Sequence, residues 1–92
     1  MKYINWNAEK NEILIKQRNV SFEEVVFQIL NDRILDILEH SNTDKYPEQK
    51  IFVIEIRKYI YLIPFIENEN EVFLKTIIPS RKFTKMYLKE QK

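Results

Sequence analysis

The 92-residue chain contains no glycine and no cysteine, and it has a single histidine. Without glycine there is no glycine-rich loop to cradle a phosphate group, so Rossmann and P-loop nucleotide binding have no sequence support. Without cysteine there is no disulfide framework and no thiolate chemistry. A metal site would then depend on carboxylates, which are scattered along the chain. We therefore expect neither a metal nor another cofactor.

Long apolar runs are also missing. The longest, Tyr59 to Ile66, has eight residues and contains Pro64, whereas a membrane-spanning helix needs about 20. The first residues, MKYINWN, lack the basic start and apolar core of a signal peptide. A chain of this length suits one domain with one core. We expect a single domain over residues 1–92, located in the cytoplasm and with no membrane partner.

The near-neutral total charge of +1 conceals two opposed parts of the chain. From residue 72 to the C-terminus six basic residues face one acidic residue, a net charge of +5, whereas residues 1–71 carry a net charge of −4. The basic part consists of an alternating segment, Val72–Ile78, then Pro79-Ser80 and a predicted helix. Such a concentration of cations suits phosphate backbones.

Apolar periodicity predicts a short edge strand at Tyr3–Trp6, two helices, four strands in a meander and a C-terminal helix. Asn7 caps the first helix, which extends to Arg18, and Ser21 with Glu24 forms a capping box for the second. The four later strands are Ile34–His40, Lys50–Arg57, Tyr59–Ile66 and Val72–Ile78. The predicted fold is α+β, with the two N-terminal helices packed on a four- to five-stranded, mainly antiparallel sheet.

Two finer expectations concern individual positions. The spacing of the second helix predicts one buried face, formed by Phe22, Val25, Val26, Ile29 and Leu30. In the absence of glycine, positive φ angles should fall to Asn and Asp. The asparagines between periodic segments are Asn19, Asn31, Asn42, Asn68 and Asn70.

Several side chains could cleave RNA through its 2′-hydroxyl without a metal. That reaction needs a base, an acid and cations that stabilise the pentacoordinate phosphate. Alternation places Lys75 on one strand face, Arg81 and Lys82 follow the strand end, and His40 closes an earlier strand. Each also has a plainer interpretation: Lys75 as a solvent-facing strand residue, the basic helix as a solvated face, and His40 as a surface or capping residue.

Three motifs in order carry a resemblance to a known family. They are W-N-x-x-K-N from Trp6, V-S-F-E-E from Val20, and S-R-K from Ser80 followed by Tyr87. Over nearly its whole length the chain resembles the BrnT family of bacterial toxins, small ribonucleases of the RelE-like superfamily encoded beside an antitoxin. Where that family commonly has Lys-His-Gly-Val, this chain has Gln17-Arg18-Asn19-Val20, so that Arg18 is the nearby stand-in for the histidine.

The resemblance implies a RelE-like fold and a toxin that cleaves mRNA and inhibits translation. Ser80, Arg81 and Lys82 match the family's basic motif, and Tyr87 matches a tyrosine of its last helix. It also implies a cognate antitoxin, BrnA-like with a ribbon-helix-helix or similar DNA-binding domain, in a hetero-oligomer with the toxin.

Resemblance and residue reasoning together define a set of candidates. The catalytic candidates are Arg81, Lys82, Tyr87, Lys75 and His40. The substrate-binding candidates are Ser80, Lys85 and Lys89. The alternative is a non-catalytic module of the same fold that acts by binding an antitoxin or nucleic acid. A third possibility is a structural subunit whose basic helix meets an acidic partner.

Overall fold

The computed structural model describes residues 2–39 and 49–88. Its elements, in chain order, are β1 (Tyr3–Trp6), α1 (Ala8–Arg18), α2 (Phe22–Leu30), β2 (Ile34–Glu39), β3 (Gln49–Ile56), β4 (Tyr59–Glu67), β5 (Glu71–Leu74), β6 (Ile78–Pro79) and α3 (Arg81–Leu88). The α+β class and the predicted order of elements are confirmed. The predicted strand at Ile34–His40 is present as far as Glu39, and His40 lies outside the described residues.

The strands form one mixed sheet in the order β1-β5-β4-β3-β2, and β6 also pairs with β4. The meander β2-β3-β4-β5 is antiparallel, as its short connections require, and β1 is added in parallel at the edge beside β5. β4 is central, in agreement with its apolar residues on both faces. None of the helices in the described part of the chain is long and apolar enough to cross a membrane.

The main core lies between α1, α2 and one face of the sheet. The helices contribute Leu14, Phe22 and Val25, while the central strands contribute Ile54 and Ile63, all almost completely buried. On the opposite face Val53 and Ile60 are also fully buried. Because α3 packs against β4, we assign part of that burial to α3, so that the sheet has helices on both faces.

The second helix does not bury its whole predicted face. Phe22 and Val25 are buried and Val26 and Ile29 are half-buried, but Leu30 is 65% exposed. Leu30 is the last residue of α2, at the point where the chain turns away toward β2. Burial of the predicted face therefore extends from Phe22 to Ile29 and does not include the last residue of the helix.

The predicted strand Val72–Ile78 is not continuous, which corrects the sequence expectation. It is divided into β5 and β6, and residues 75–77 between them are not in a strand. Opposite the gap is Pro64, whose carbonyl oxygen accepts a hydrogen bond from the Lys75 N–H at 2.8 Å. Proline has no N–H to donate on that same side, so the ladder cannot continue past it. Pro64 keeps its place opposite Ile51 of β3, so the interruption affects only the other side of β4.

The positive-φ positions differ in part from those expected. Asn19 does adopt the left-handed conformation after α1, but Asp32 rather than Asn31 does so after α2. The other two such residues in the described ranges are Arg57 and Lys58, with φ of 52° and 65°. They form the two-residue hairpin between β3 and β4, a turn of the kind that needs positive φ at both positions. Asn68 and Asn70 are not among the positive-φ residues, and Asn42 lies outside the described residues.

Two of the family-like motifs meet in the interior. The Trp6 ring stacks on Phe22, with ring centroids 5.9 Å apart. Asn11, which is 7% exposed, accepts a hydrogen bond from the Phe22 N–H and donates one to the Glu23 carboxylate, both at 2.8 Å. The amide thus satisfies a backbone donor at the start of α2 that has no partner within the helix. The motifs W-N-x-x-K-N and V-S-F-E-E therefore have a structural role, the joining of β1, α1 and α2.

Candidate nucleic-acid interface

The start of α3 is fixed to the start of β4 by two hydrogen bonds to the backbone of Ile60. The Ser80 N–H donates to the Ile60 carbonyl at 2.9 Å, and the Ile60 N–H donates to the Thr84 hydroxyl at 2.9 Å. The Ser80 hydroxyl accepts from the Phe83 N–H at 3.1 Å and so caps the helix. Ser80, predicted to bind substrate, therefore holds the first turn of α3 in place, with its hydroxyl hydrogen still available to donate.

The helix that begins there has two distinct faces. Arg81, Lys82 and Lys85 are exposed, whereas its half-buried residues are Phe83, Thr84, Tyr87 and Leu88. Residues separated by three or four positions lie on the same side of a helix of 3.6 residues per turn, so Lys85 lies beside both Lys82 and Arg81. The three predicted cations thus form a single solvent-facing group anchored to the sheet.

Tertiary contacts bring further cations to this end of the molecule. The Arg18 guanidinium, at the end of α1, donates to the Ile77 carbonyl at 2.7 Å, just before β6 and α3. Lys58, in the β3–β4 turn, is two residues from Ile60, to which Ser80 is bonded. We call this group of five residues the basic end: Arg18, Lys58, Arg81, Lys82 and Lys85.

The positive charges of the basic end are not neutralised by salt bridges with the carboxylates of the described residues. The nearby Arg57 is paired with Glu24 and also donates to the Asn19 carbonyl, so it is not counted among the available cations. Within residues 2–39 and 49–88, no carboxylate forms a salt bridge with a member of the basic end. A phosphate group could therefore bind there without displacing a carboxylate from a salt bridge within the described residues.

The first turn of α3 differs electrostatically from those of the other two described helices. α1 begins with Glu9 and α2 with Glu23 and Glu24, as the positive end of a helix dipole favours. α3 begins instead with Arg81 and Lys82, and its first turn contains no acidic residue. These cations add to the positive potential of the helix end, an arrangement that disfavours the helix by itself and favours a bound anion.

Acidic residues are concentrated at the opposite end of β4. Glu67, Glu69 and Glu71 surround the β4–β5 connection, where Lys2 is paired with Glu67. At a rise of 3.3 Å per residue, the length of β4 separates this group from the Lys58 turn by about 26 Å. This acidic group is thus remote from the basic end, where the neighbouring carboxylates are Glu24, paired with Arg57, and Glu55, opposite Ile60 in the β3–β4 ladder.

The remaining candidates are not part of the basic end: Lys75 lies apart from it, and two others lie outside the described residues. Lys75 is exposed and lies opposite Pro64, four residues along β4 from Ile60, which puts its backbone about 13 Å from that of Ser80. It is therefore separate from the group of cations at the start of α3. His40 and Lys89 lie outside the described residues.

Tyr87 is on the inner half of α3. It is half-buried and stacks on Phe83, with ring centroids 6.2 Å apart. Arg81 and Lys82 are on the exposed half, so the structure does not bring the Tyr87 ring into the same exposed group as these cations. The predicted basic motif is therefore assembled, while the two described candidates for proton transfer, Tyr87 and Lys75, lie apart from it.

Two cations of the basic end were not among the sequence candidates. Arg18 drew notice in the sequence as the stand-in for the family's histidine, and its place beside Ile77 is consistent with a role near the site. Lys58 carried no signal beyond its position in a predicted hairpin. Only the packing of α3 beside the start of β4 makes it a neighbour of Arg81.

The described residues contain no group of three or more acidic or histidine side chains arranged to hold a metal ion. In comparisons with known proteins, no family model, curated protein or solved structure matches the chain. The BrnT resemblance therefore stays a prediction, and the case for function depends on the geometry of the basic end.

Proposed function

We propose that the protein is the toxin of a type II toxin–antitoxin system, a cytoplasmic, metal-independent endoribonuclease of RelE-like fold that cleaves mRNA and inhibits translation. The observation that carries the proposal is the basic end, in which α1, the β3–β4 turn and α3 contribute cations that form no salt bridge with residues 2–39 or 49–88. The motif S-R-K at its centre is also the part of the chain that resembles the strand-end motif of BrnT toxins.

In this proposal Arg81 and Lys82 bind the scissile phosphate. Cleavage proceeds by attack of the 2′-hydroxyl on phosphorus, with loss of the 5′-oxygen and formation of a cyclic phosphate. Two cations at the start of α3 would stabilise the additional negative charge of the pentacoordinate transition state. The field of the helix N-terminus acts in the same direction.

Proton transfer requires groups beyond these two cations. Tyr87 and Lys75 are the described candidates, and His40 is the candidate outside the described residues. Lys75 and Lys85 would also bind neighbouring phosphates, as would Lys89 further along the chain. Single-stranded RNA fits this surface better than duplex, because its bases can turn away from the cations and stack elsewhere.

The second candidate is a non-catalytic module that binds nucleic acid or an antitoxin through the same surface. The observation that favours it is the exposure of Arg81, Lys82 and Lys85 on the outside of a helix, with Tyr87 directed to another side. Exposed lysines suffice for phosphate binding, whereas catalysis needs an acid and a base in reach of one phosphate. The two candidates share an interface and differ in its chemistry.

The deciding experiment is expression of the chain alone in a bacterium, with parallel incubation of purified protein and single-stranded RNA in a metal chelator. The toxin should arrest growth and cut RNA to products ending in cyclic phosphate. The double variant Arg81→Ala/Lys82→Ala should do neither. In a plot of log binding constant for RNA against log salt concentration, the magnitude of its slope should be smaller than that of the wild type by about 1–2. Its circular dichroism spectrum should match that of the wild type, since alanine favours helix.

Lys50→Ala is the matched control, because Lys50 is exposed on β3 opposite Phe65, far from the basic end. It should remain toxic and active. Undiminished toxicity in the double variant would overturn the proposed site. Salt-dependent RNA binding by the wild type with neither growth arrest nor cleavage would identify the binding module instead.

A further inference from the structure

A second surface, remote in sequence from α3, exposes several large apolar side chains. Phe27 and Leu30 on α2 are 56% and 65% exposed, and Leu35 and Ile37 on β2 are 43% and 50% exposed. Three residues connect the two elements, and the cavity between them is lined in part by Gln28, Ile34 and Leu35. A contiguous apolar group of this size, unlike a single exposed leucine, is typical of a binding surface.

β2 also presents a strand edge. It is the last strand of the sheet, and among the described residues its strand partner is β3 alone. The Ile37 N–H donates to the Asp36 carboxylate at 2.8 Å. This hydrogen bond to a neighbouring side chain can be exchanged for one to an incoming backbone carbonyl.

The charge around this edge indicates what kind of strand can be added. Residues 31–39, which connect α2 to β2 and form β2, include three acidic residues and one basic residue, a net charge of −2. β2 itself, ILDILE, has Asp36 and Glu39 and no cation. A second copy of the chain would align two carboxylates from each copy along one ladder, which is unfavourable. A strand with basic side chains would instead have a charge complementary to these carboxylates.

We infer that α2 and β2 form a docking surface for an extended segment of a partner protein in which apolar and basic residues alternate. The segment adds a strand to β2. Its apolar side chains cover Ile37, Leu30 and Phe27 on the helix side of the sheet, and its basic side chains lie on the other face, where they pair with Asp36. Backbone hydrogen bonds supply affinity and the alternating side chains supply specificity. The identification of this partner with the antitoxin rests on the proposed function, whereas the surface itself does not.

The test uses two synthetic peptides of about eight residues, a typical strand length, one alternating valine with lysine and the other valine with glutamate. Each is titrated into isotopically labelled protein while backbone amide resonances and hydrogen exchange are recorded. The lysine peptide should shift and protect the amides of β2, including Ile37, and its affinity should weaken as salt is added. The glutamate peptide should not bind.

Two variants locate the effect. Ile37→Lys removes an apolar contact and adds a repulsive charge, and it should weaken binding of the lysine peptide by at least about tenfold. Tyr3→Lys makes the same kind of change on β1, at the opposite edge of the sheet, where Tyr3 is 75% exposed. It should leave the affinity unchanged.

Several results would overturn the inference: no binding of the lysine peptide, equal binding of both peptides, or equal loss in the two variants. Protection of the Ile37 amide before any peptide is added would show that β2 is already covered, by residues 40–48 or by a second copy; sedimentation separates these two cases. Peptide binding is measured without RNA, so failure here leaves the ribonuclease proposal standing. Failure of RNA cleavage likewise leaves the docking surface standing.

Discussion

Arg18 and Ile77 are joined across 59 positions of sequence by a hydrogen bond of 2.7 Å from the guanidinium Nη1 to the backbone carbonyl. Ile77 is fully buried between β5 and β6, and Arg18 is in the last turn of α1. The bond ties the segment that leads into α3 to the helical layer on the main core. It therefore fixes the position of the basic end as well as contributing a cation to it.

Arg18→Ala should destabilise the fold and weaken RNA binding together. Loss of a hydrogen bond from a charged donor to a partly buried carbonyl should lower the free energy of unfolding by about 1–2 kcal/mol, measured by urea denaturation. Lys16→Ala is the control, because it removes a cation from the same helical turn without breaking this bond. Equal stability of the two variants would show that the Arg18–Ile77 contact has no energetic weight.

Asn11→Ala should destabilise the joint between α1 and α2. It leaves the buried Phe22 N–H without a partner, at a cost of about 1–3 kcal/mol. The same change should raise the pKa of Glu23 toward its usual value, because the hydrogen bond from Asn11 is the main cause that lowers it in the folded protein. Nuclear magnetic resonance titration of the Glu23 carboxyl in both proteins measures this directly.

The sign of the pH dependence follows from that lowered pKa. A carboxyl whose folded pKa lies below its unfolded pKa stabilises the fold above the unfolded value, ordinarily 4.5, and this contribution disappears as pH falls through the folded pKa. The stability difference between wild type and Asn11→Ala should therefore be largest near neutral pH and shrink on acidification. Glu23→Gln, which cannot ionise, should lose this part of the pH dependence, and an unchanged acid profile would contradict the assignment.

Lys58→Gly should stabilise the protein while weakening its interaction with RNA. Lys58 has a φ of 65° in the β3–β4 turn, a conformation that costs a residue with a Cβ atom about 1 kcal/mol relative to glycine. Thermal unfolding should shift upward accordingly, and RNA affinity should fall through loss of one cation of the basic end. Lys58→Ala has the same charge change but keeps the conformational cost, so similar stability of the two variants would refute the explanation.

Local chemistry made much of the fold predictable from sequence. Asn7 and the Ser21–Glu24 capping box define where α1 and α2 begin, and alternation defines β3 and β4, because hydrogen bonding to nearby backbone and a strict side-chain period act over a few residues. The absence of a backbone N–H at Pro64 is likewise evident from sequence alone. Its consequence, the division of the final strand into β5 and β6, depended on which segment lay opposite it.

The sequence by itself determined that this protein is a small α+β domain whose cations are concentrated after residue 72. Only the tertiary structure decided that Arg18 and Lys58 join Arg81 and Lys82, and that Leu30 and Ile37 remain exposed beside a strand edge. Caps, turns and periodicity report interactions between near neighbours in the chain. The basic end and the docking surface arise from contacts between distant segments, which are set by the packing of α3 on β4 and by the point at which α2 ends.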